Sequence, residues 1–209
     1  KEMIKAFTDN VDIHTVTASQ VFALPLDMVT PIHRSRAKAV NFGIVYGIGA
    51  YSLAKDIGVT NKEAKAYIDN YLKHYSGIDG YMKNVIERAK NEGFVETLFG
   101  RRRYLPELTA SNHITRAFGE RVARNMPIQG TAADIIKIAM IKVDKRLKDE
   151  GLSARLILQV HDELIVECPQ FEAMQVAMIL QEEMESAVKL SVPLVAEAAV
   201  GKTWYDAKG

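Results

Sequence analysis

Three polar residues, His161, Asp162 and Glu163, interrupt an apolar stretch, Leu156 to Glu167, that reads LILQVHDELIVE. Apolar residues alternate at Leu156, Leu158 and Val160 before them and at Leu164 and Val166 after them, a rhythm that predicts two adjacent β-strands. The connection has no Gly or Asn to accept positive φ, which a tight hairpin normally needs. Asp can enter that region at some cost. Local rules broken this way cluster at functional sites, although a surface hairpin with a charged tip has the same pattern. Carboxylates on such a tip suit divalent cations. Phosphoryl transfer with two such ions needs about two carboxylates holding metals roughly 4 Å apart. Asp162 can be one, with Glu163 near it. No other Asp is marked as the partner: Asp9, Asp12 and Asp27 sit in loop-like stretches. A phosphohydrolase centre built on His and Asp has less support, because His14, His33, His74 and His113 show no paired metal-ligand spacing.

Arg34, Lys38, Phe42 and Tyr46 stand four residues apart within HRSRAKAVNFGIVYGIG. On a helix each step of four turns about 40°, so the four form one ridge, cations first and aromatics after. A nucleotide has that layout, with phosphates at one end and a flat base at the other. The plainer alternative keeps Phe42 and Tyr46 in the core and the cations in solvent. A third group, Arg101, Arg102 and Arg103 followed by Arg116, Arg121, Arg124, Asn125 and Gln129, suits a phosphate backbone and a minor groove, or a solvated basic surface.

The elements that must carry these residues are mostly helical at first. A helix over 13–22 is capped by Asp12. The ridge helix begins at Ile32 and ends near Gly47 or Gly49. A short helix covers 51–57, and Thr60 with Glu63 makes a capping box for the next. Gly77 and Gly80 are expected to break the chain before a helix from Tyr81 to Glu92, and a small hairpin turns around Gly100. One helix runs from about Asn112 to Asn125. Pro127 opens another, with an apolar stripe at Ile136, Met140, Val143 and Leu147. After the strand pair come a helix that follows Pro169 and runs to about Leu190, and a strand from Leu194 to Val200. This order predicts an α+β fold, a helical part and then a small antiparallel sheet packed against helices.

Composition is that of a globular protein: 209 residues, 48% apolar, 25% charged, net charge +1. That charge excludes a generally basic coat but not a local basic groove. Cys168 is the single cysteine, so no disulfide framework exists and a reducing, intracellular setting is expected. No apolar run reaches membrane-spanning length. The first residue is Lys1, not Met, so the chain is expected to begin partway through a larger protein.

Taken together, these motifs resemble the C-terminal part of the family A DNA polymerases. RSRAKAVNFGIVYG (Arg34 to Gly47) is similar to that family's motif B and QVHDE (Gln159 to Glu163) to its motif C. ERVARNMPIQGTAADI (Glu120 to Ile135), GRRRYLPEL and TWYDAK fit the family as well, in order and over essentially the whole chain. The resemblance implies a fingers subdomain over 13–128, a palm-side segment over 1–12 and the C-terminal part of a palm over 129–209. It implies that Arg34 and Lys38 contact the phosphates of a dNTP, with Lys38 also a proton donor to the leaving pyrophosphate. Phe42 packs against the sugar, in a position where Phe rather than Tyr goes with rejection of dideoxynucleotides, and Tyr46 lies near the templating base. Asp162 binds catalytic Mg²⁺, two ions being expected in the intact enzyme, with Glu163 beside it. His161 touches the primer terminus, and Arg121, Asn125 and Gln129 follow the primer–template duplex.

The resemblance also implies a departure. The family's motif A, with the other metal-binding aspartate, precedes the segment matched by Lys1, and the thumb is absent. The chain reads as a fragment that is inactive alone and partners the rest of the polymerase polypeptide, in a bacterial cytoplasm at the nucleoid, in replication and repair. A non-catalytic DNA-binding module of the same fold is the competing reading.

Overall fold

The computed structural model describes residues 2–9 and 11–208. Lys1 and Asn10, in the expected palm-side segment, and Gly209, in the expected tail, lie outside the described residues. The chain divides into two compact units, Lys1–Gly130 and Thr131–Gly209.

Local signals build most of the first unit. After α1 (Glu2–Thr8), Asp12 caps α2 (Ile13–Phe22) by accepting the His14 N–H at 3.1 Å. Thr30 caps α3 (Pro31–Val45), whose first position is a proline. A short α4 (Ala50–Ile57) follows, and the expected Thr60–Glu63 box opens α5 (Asn61–His74). Next come α6 (Ser76–Glu92) and the hairpin of β1 (Phe94–Glu96) and β2 (Arg102–Tyr104), which pairs Phe94 with Tyr104. The first part of α7 (His113–Asp149) completes the unit. One core gathers Val21, Val40, Ile44, Leu53, Tyr71 and Tyr75; a second gathers Ala89, Val95, Leu105, Leu108 and Ala123.

Two expected breaks do not occur. Gly77 and Gly80 lie inside α6, and the chain bends instead at Tyr75 (φ −101°, ψ 56°). Each helical glycine costs about 1 kcal/mol. Ile78, between them, packs against the first core, and Met82 and Ala89 are buried further along, which offsets that cost. Pro127 does not start a helix but lies within α7. A proline there removes a helical hydrogen bond and costs about 3 kcal/mol. Anchoring on both sides carries the helix through: Ala123 and Met126 join the second core before it, and Val143 and Leu147 are buried after it.

In the second unit β3 (Arg155–Val160) and β4 (Glu163–Glu167) form an antiparallel pair beside the rest of α7 and α8 (Ala173–Glu185). Its core is Val143, Leu147, Ala154, Val176 and Ile179, with Leu164 and Val166 packed on it. Arg146 of α7 ties down α8 through Glu182 (2.6 Å) and Glu183 (3.0 Å). The pairing slips by one residue between Leu156 and Leu158, making Ile157 a bulge. Leu158 therefore leaves the face it would share with Leu156, and it is exposed. The expected strand from Leu194 to Val200 is not one: its covered and exposed residues do alternate, but no other described strand pairs with it. Its Ala196 N–H bonds a side chain instead, donating to Glu185 Oε1 at 3.1 Å. The one-turn α9 (Trp204–Ala207) ends the unit. The α+β expectation holds, as helices with two small antiparallel sheets.

Candidate active site

The ridge on α3 stands in solvent. Ala37, Val40, Asn41 and Ile44 bury the opposite face, while Arg34 and Lys38 are exposed and Phe42 and Tyr46 remain 45% and 40% exposed. The two aromatics do not serve the core. Their rings stack with centroids 6.2 Å apart and planes 18° from parallel, and the Lys38 ammonium sits 6.0 Å from the centre of Phe42. Tyr46 caps the helix, and Gly47 then turns with φ +69°, a conformation that favours glycine.

Asp12, whose spacing marks it only as a helix cap and not as a metal partner for Asp162, holds the ridge's first cation. Its carboxylate accepts from Arg34 Nε and from Arg34 Nη2 (3.3 Å), and from the Thr15 hydroxyl at 2.7 Å. The Arg34 guanidinium is the main cause that holds the Asp12 carboxyl down at about 2, against burial, which pushes the other way. His14 lies alongside, its ring 5.9 Å from Phe42. Asn41 donates through Nδ2 to His14 Nδ1 at 2.9 Å, so the neutral imidazole carries its proton on Nε2. Burial, with the Arg34 and Lys38 charges, pushes His14 below its usual value; Asp12 opposes that shift. Twenty-two residues separate Asp12 from Arg34, so no helical spacing could reveal the pair.

The second basic group is only partly available. Arg102 lies 4.3 Å from the Phe94 ring and pairs with Glu96, and Arg116 donates to the Ala110 carbonyl. Arg121 reaches across Phe118 at 5.8 Å. Asn125 has a buried Oδ1 with no hydrogen-bond partner. Gln129 donates through Nε2 to the Tyr46 hydroxyl at 3.0 Å, joining the two predicted groups across 83 residues. Arg124 also approaches the end of the ridge: a Cβ at Gly47 would lie 2.9 Å from its Nη1.

In the second unit Val160 pairs with Glu163, leaving His161 and Asp162 as a two-residue connection. The left-handed residue of the connection is His161 (φ 53°), and Asp162 does not share that conformation. Positive φ at the first loop position alone is the pattern of II′ connections, and a non-glycine there costs about 1–2 kcal/mol. The Gln159 amide supports the strained residue by donating to the His161 carbonyl at 2.6 Å. Asp162 is exposed, and among the described residues no side chain or backbone group bonds its carboxylate. Glu163 is engaged: Oε2 accepts from Trp204 Nε1 at 3.1 Å and Oε1 lies 3.2 Å from Lys208 Nζ. A free carboxylate on a rigid tip is a suitable single ligand for a hard divalent cation such as Mg²⁺. Among the described residues no group of three or more His, Cys, Asp or Glu side chains could hold a metal. No described helix is long and apolar enough to cross a membrane.

The model for DNA polymerase family A matches residues 1–206. DNA polymerase I of Bacillus subtilis (strain 168) is 52% identical over 208 residues, 100% of this chain and 24% of that protein. The DNA polymerase I of Streptococcus pneumoniae (strain ATCC BAA-255 / R6) is 49% identical over 209 residues, again 100% and 24%. The chain thus spans about a quarter of the length of these relatives. The POL domain of Pol1 from M. smegmatis, solved in complex with DNA primer-template and dNTP, matches with a TM-score of 0.93 at 43% identity, covering 99% of this chain and 36% of that one.

Proposed function

Because the chain belongs to DNA polymerase family A, we propose that it supplies the fingers (13–128) and the C-terminal part of the palm (129–209) to a longer template-directed DNA polymerase. That enzyme adds dNTPs to a primer 3′-hydroxyl in a bacterial cytoplasm. Arg34 and Lys38 bind the triphosphate, and Lys38 gives a proton to the departing pyrophosphate. Phe42 supports the sugar, and Tyr46 closes the ridge beside the templating base. Arg121, Asn125 and Gln129 follow the duplex, and His161 meets the primer end. Asp162, with Glu163 beside it, would hold Mg²⁺, which supplies Lewis-acid stabilisation of developing charge on phosphate oxygens.

The observation that carries this reading is the α3 ridge, with two cations and two stacked aromatics all facing solvent from one helix. Arg34 must exchange the Asp12 carboxylate for a phosphate, a like-for-like swap of anions on one guanidinium. The complex of the M. smegmatis relative with primer-template and dNTP adds support.

Primer extension by the longer polypeptide tests the reading. Lys38→Ala is expected to lower kcat/KM for dNTP at least about a hundredfold, in line with loss of a general acid. Asp162→Ala is expected to abolish extension. Extension that survives both substitutions removes the proposal.

A further inference from the structure

The residues from Gly201 to Lys208 fold into a hook that ends on Glu163. Thr203 and Asp206 cap one another: the Asp206 N–H donates to Thr203 Oγ1 at 3.2 Å, while the Asp206 carboxylate accepts from the Thr203 N–H at 3.1 Å and the Thr203 hydroxyl at 2.7 Å. Gly201 closes the hook, since a Cβ there would lie 2.6 Å from the Ala207 backbone nitrogen. A single helical turn is unstable by itself, so these contacts explain how α9 holds its shape. Trp204, its first residue, sends its indole N–H to Glu163 Oε2 at 3.1 Å. Lys208 sets its ammonium 3.2 Å from Glu163 Oε1 and 4.9 Å from the centre of the Trp204 ring. Both oxygens of Glu163 are taken, while the neighbouring Asp162 keeps its carboxylate free.

We infer that Trp204 and Lys208 are positioning residues that withhold Glu163 from the divalent cation, so that Asp162 alone of the acidic pair is presented to it. Two adjacent carboxylates compete as ligands for one hard cation, and the longer, more mobile Glu can reach a cation beside Asp162. An indole N–H and an ammonium together fix the glutamate and neutralise its charge at the tip. The metal consequence rests on the polymerase reading above; the contact itself does not.

Trp204 is the only tryptophan in the chain, so its indole N–H gives one resonance in a nitrogen–proton correlation spectrum of the 209-residue chain. Glu163→Gln replaces a charged acceptor with a neutral one and is expected to move that resonance upfield. Added Mg²⁺ is expected to leave it in place in the wild type and to move it in Lys208→Gln, where Glu163 is released toward the metal. An indole signal unmoved by Glu163→Gln, or one that Mg²⁺ shifts in the wild type, overturns the inference. In the longer polymerase, Lys208→Gln is expected to lower kcat on the order of tenfold, as loss of a ligand-orienting contact does, with KM for dNTP unchanged. The same substitution is expected to cost nothing further in a Glu163→Gln background, and additive losses would refute action through Glu163. Extension that survives Asp162→Ala defeats the polymerase reading, whereas the indole signal decides the contact independently.

Discussion

Replacing Asp12 by asparagine or by alanine separates an ion pair from a helix cap. Asp12 caps α2 through the His14 N–H and the Thr15 hydroxyl, and the same carboxylate pairs with Arg34. Lowering its pKa from 3.8 to about 2 corresponds to roughly 2.4 kcal/mol at 1.36 kcal/mol per pH unit. Part of that shift comes from the cap's own hydrogen bonds, from the Thr15 hydroxyl and the His14 N–H. Both partners of the ion pair are also substantially exposed, 48% for the Arg34 side chain and 38% for Asp12, so the pair itself is left with about 1 kcal/mol at most. The cap contributes about 1 kcal/mol more. Asp12→Asn keeps an oxygen for the His14 N–H and loses the charge, so it should cost up to about 1 kcal/mol; Asp12→Ala loses both and should cost about 2 kcal/mol. The folded-state pKa is depressed, so the charge contributes fully above 3.8 and its contribution fades as the pH falls toward about 2. Urea unfolding followed by circular dichroism at pH 7 and pH 2 measures each term. Equal losses for the two variants at pH 7, or an Asp12→Asn penalty as large at pH 2 as at pH 7, would refute the assignment of cap and pair.

In the longer polypeptide Asp12→Asn also frees Arg34 for phosphate, and a 1 kcal/mol gain predicts a KM for dNTP about fivefold lower in steady-state extension. An unchanged or higher KM would show that the pair does not compete with nucleotide. Gly47→Ala forces a side chain into φ +69°, and it should cost about 1–2 kcal/mol in thermal denaturation. The clash at 2.9 Å is with the flexible end of Arg124 and adds little. Leu147, 2% exposed in the core of the second unit, should lose about 3 kcal/mol on truncation to alanine through cavity formation. A loss below about 1 kcal/mol would mean that this core is loosely packed. The 209-residue chain alone should not extend a primer with Mg²⁺ and dNTPs, because Asp162 is a single free carboxylate at the hairpin and Glu163 is tied to Trp204 and Lys208. Extension by the purified chain would contradict that.

Wherever the physics is local, the sequence was legible. Asp12 capping α2, the Thr60–Glu63 box, the hairpin around Gly100 and the single face shared by Arg34, Lys38, Phe42 and Tyr46 depend on residues near one another in the chain, whereas the exposure of that face was settled only by what packs on the other side of α3. Four-residue spacing on a helix places side chains on one face whatever surrounds it. Breakers proved less decisive. Gly77, Gly80 and Pro127 each weaken a helix by an amount that burial of neighbours such as Ile78, Met82 and Ala123 can exceed.

Tertiary structure decided the rest, because those features join residues far apart in the chain or depend on a pairing register. Asp12 meets Arg34 across 22 residues, Glu163 meets Trp204 across 41, and Gln129 meets Tyr46 across 83. Residues 194–200 carry the alternation of a strand, yet a strand needs a partner's hydrogen bonds, and no sequence pattern supplies one. The bulge at Ile157 and the left-handed turn at His161 follow from how β3 and β4 close on each other. The sequence by itself therefore determined which residues could do chemistry and on which elements they sit. Only the folded chain determined that Arg34 is held by Asp12, that Glu163 is already occupied, and that Asp162 is the carboxylate left free.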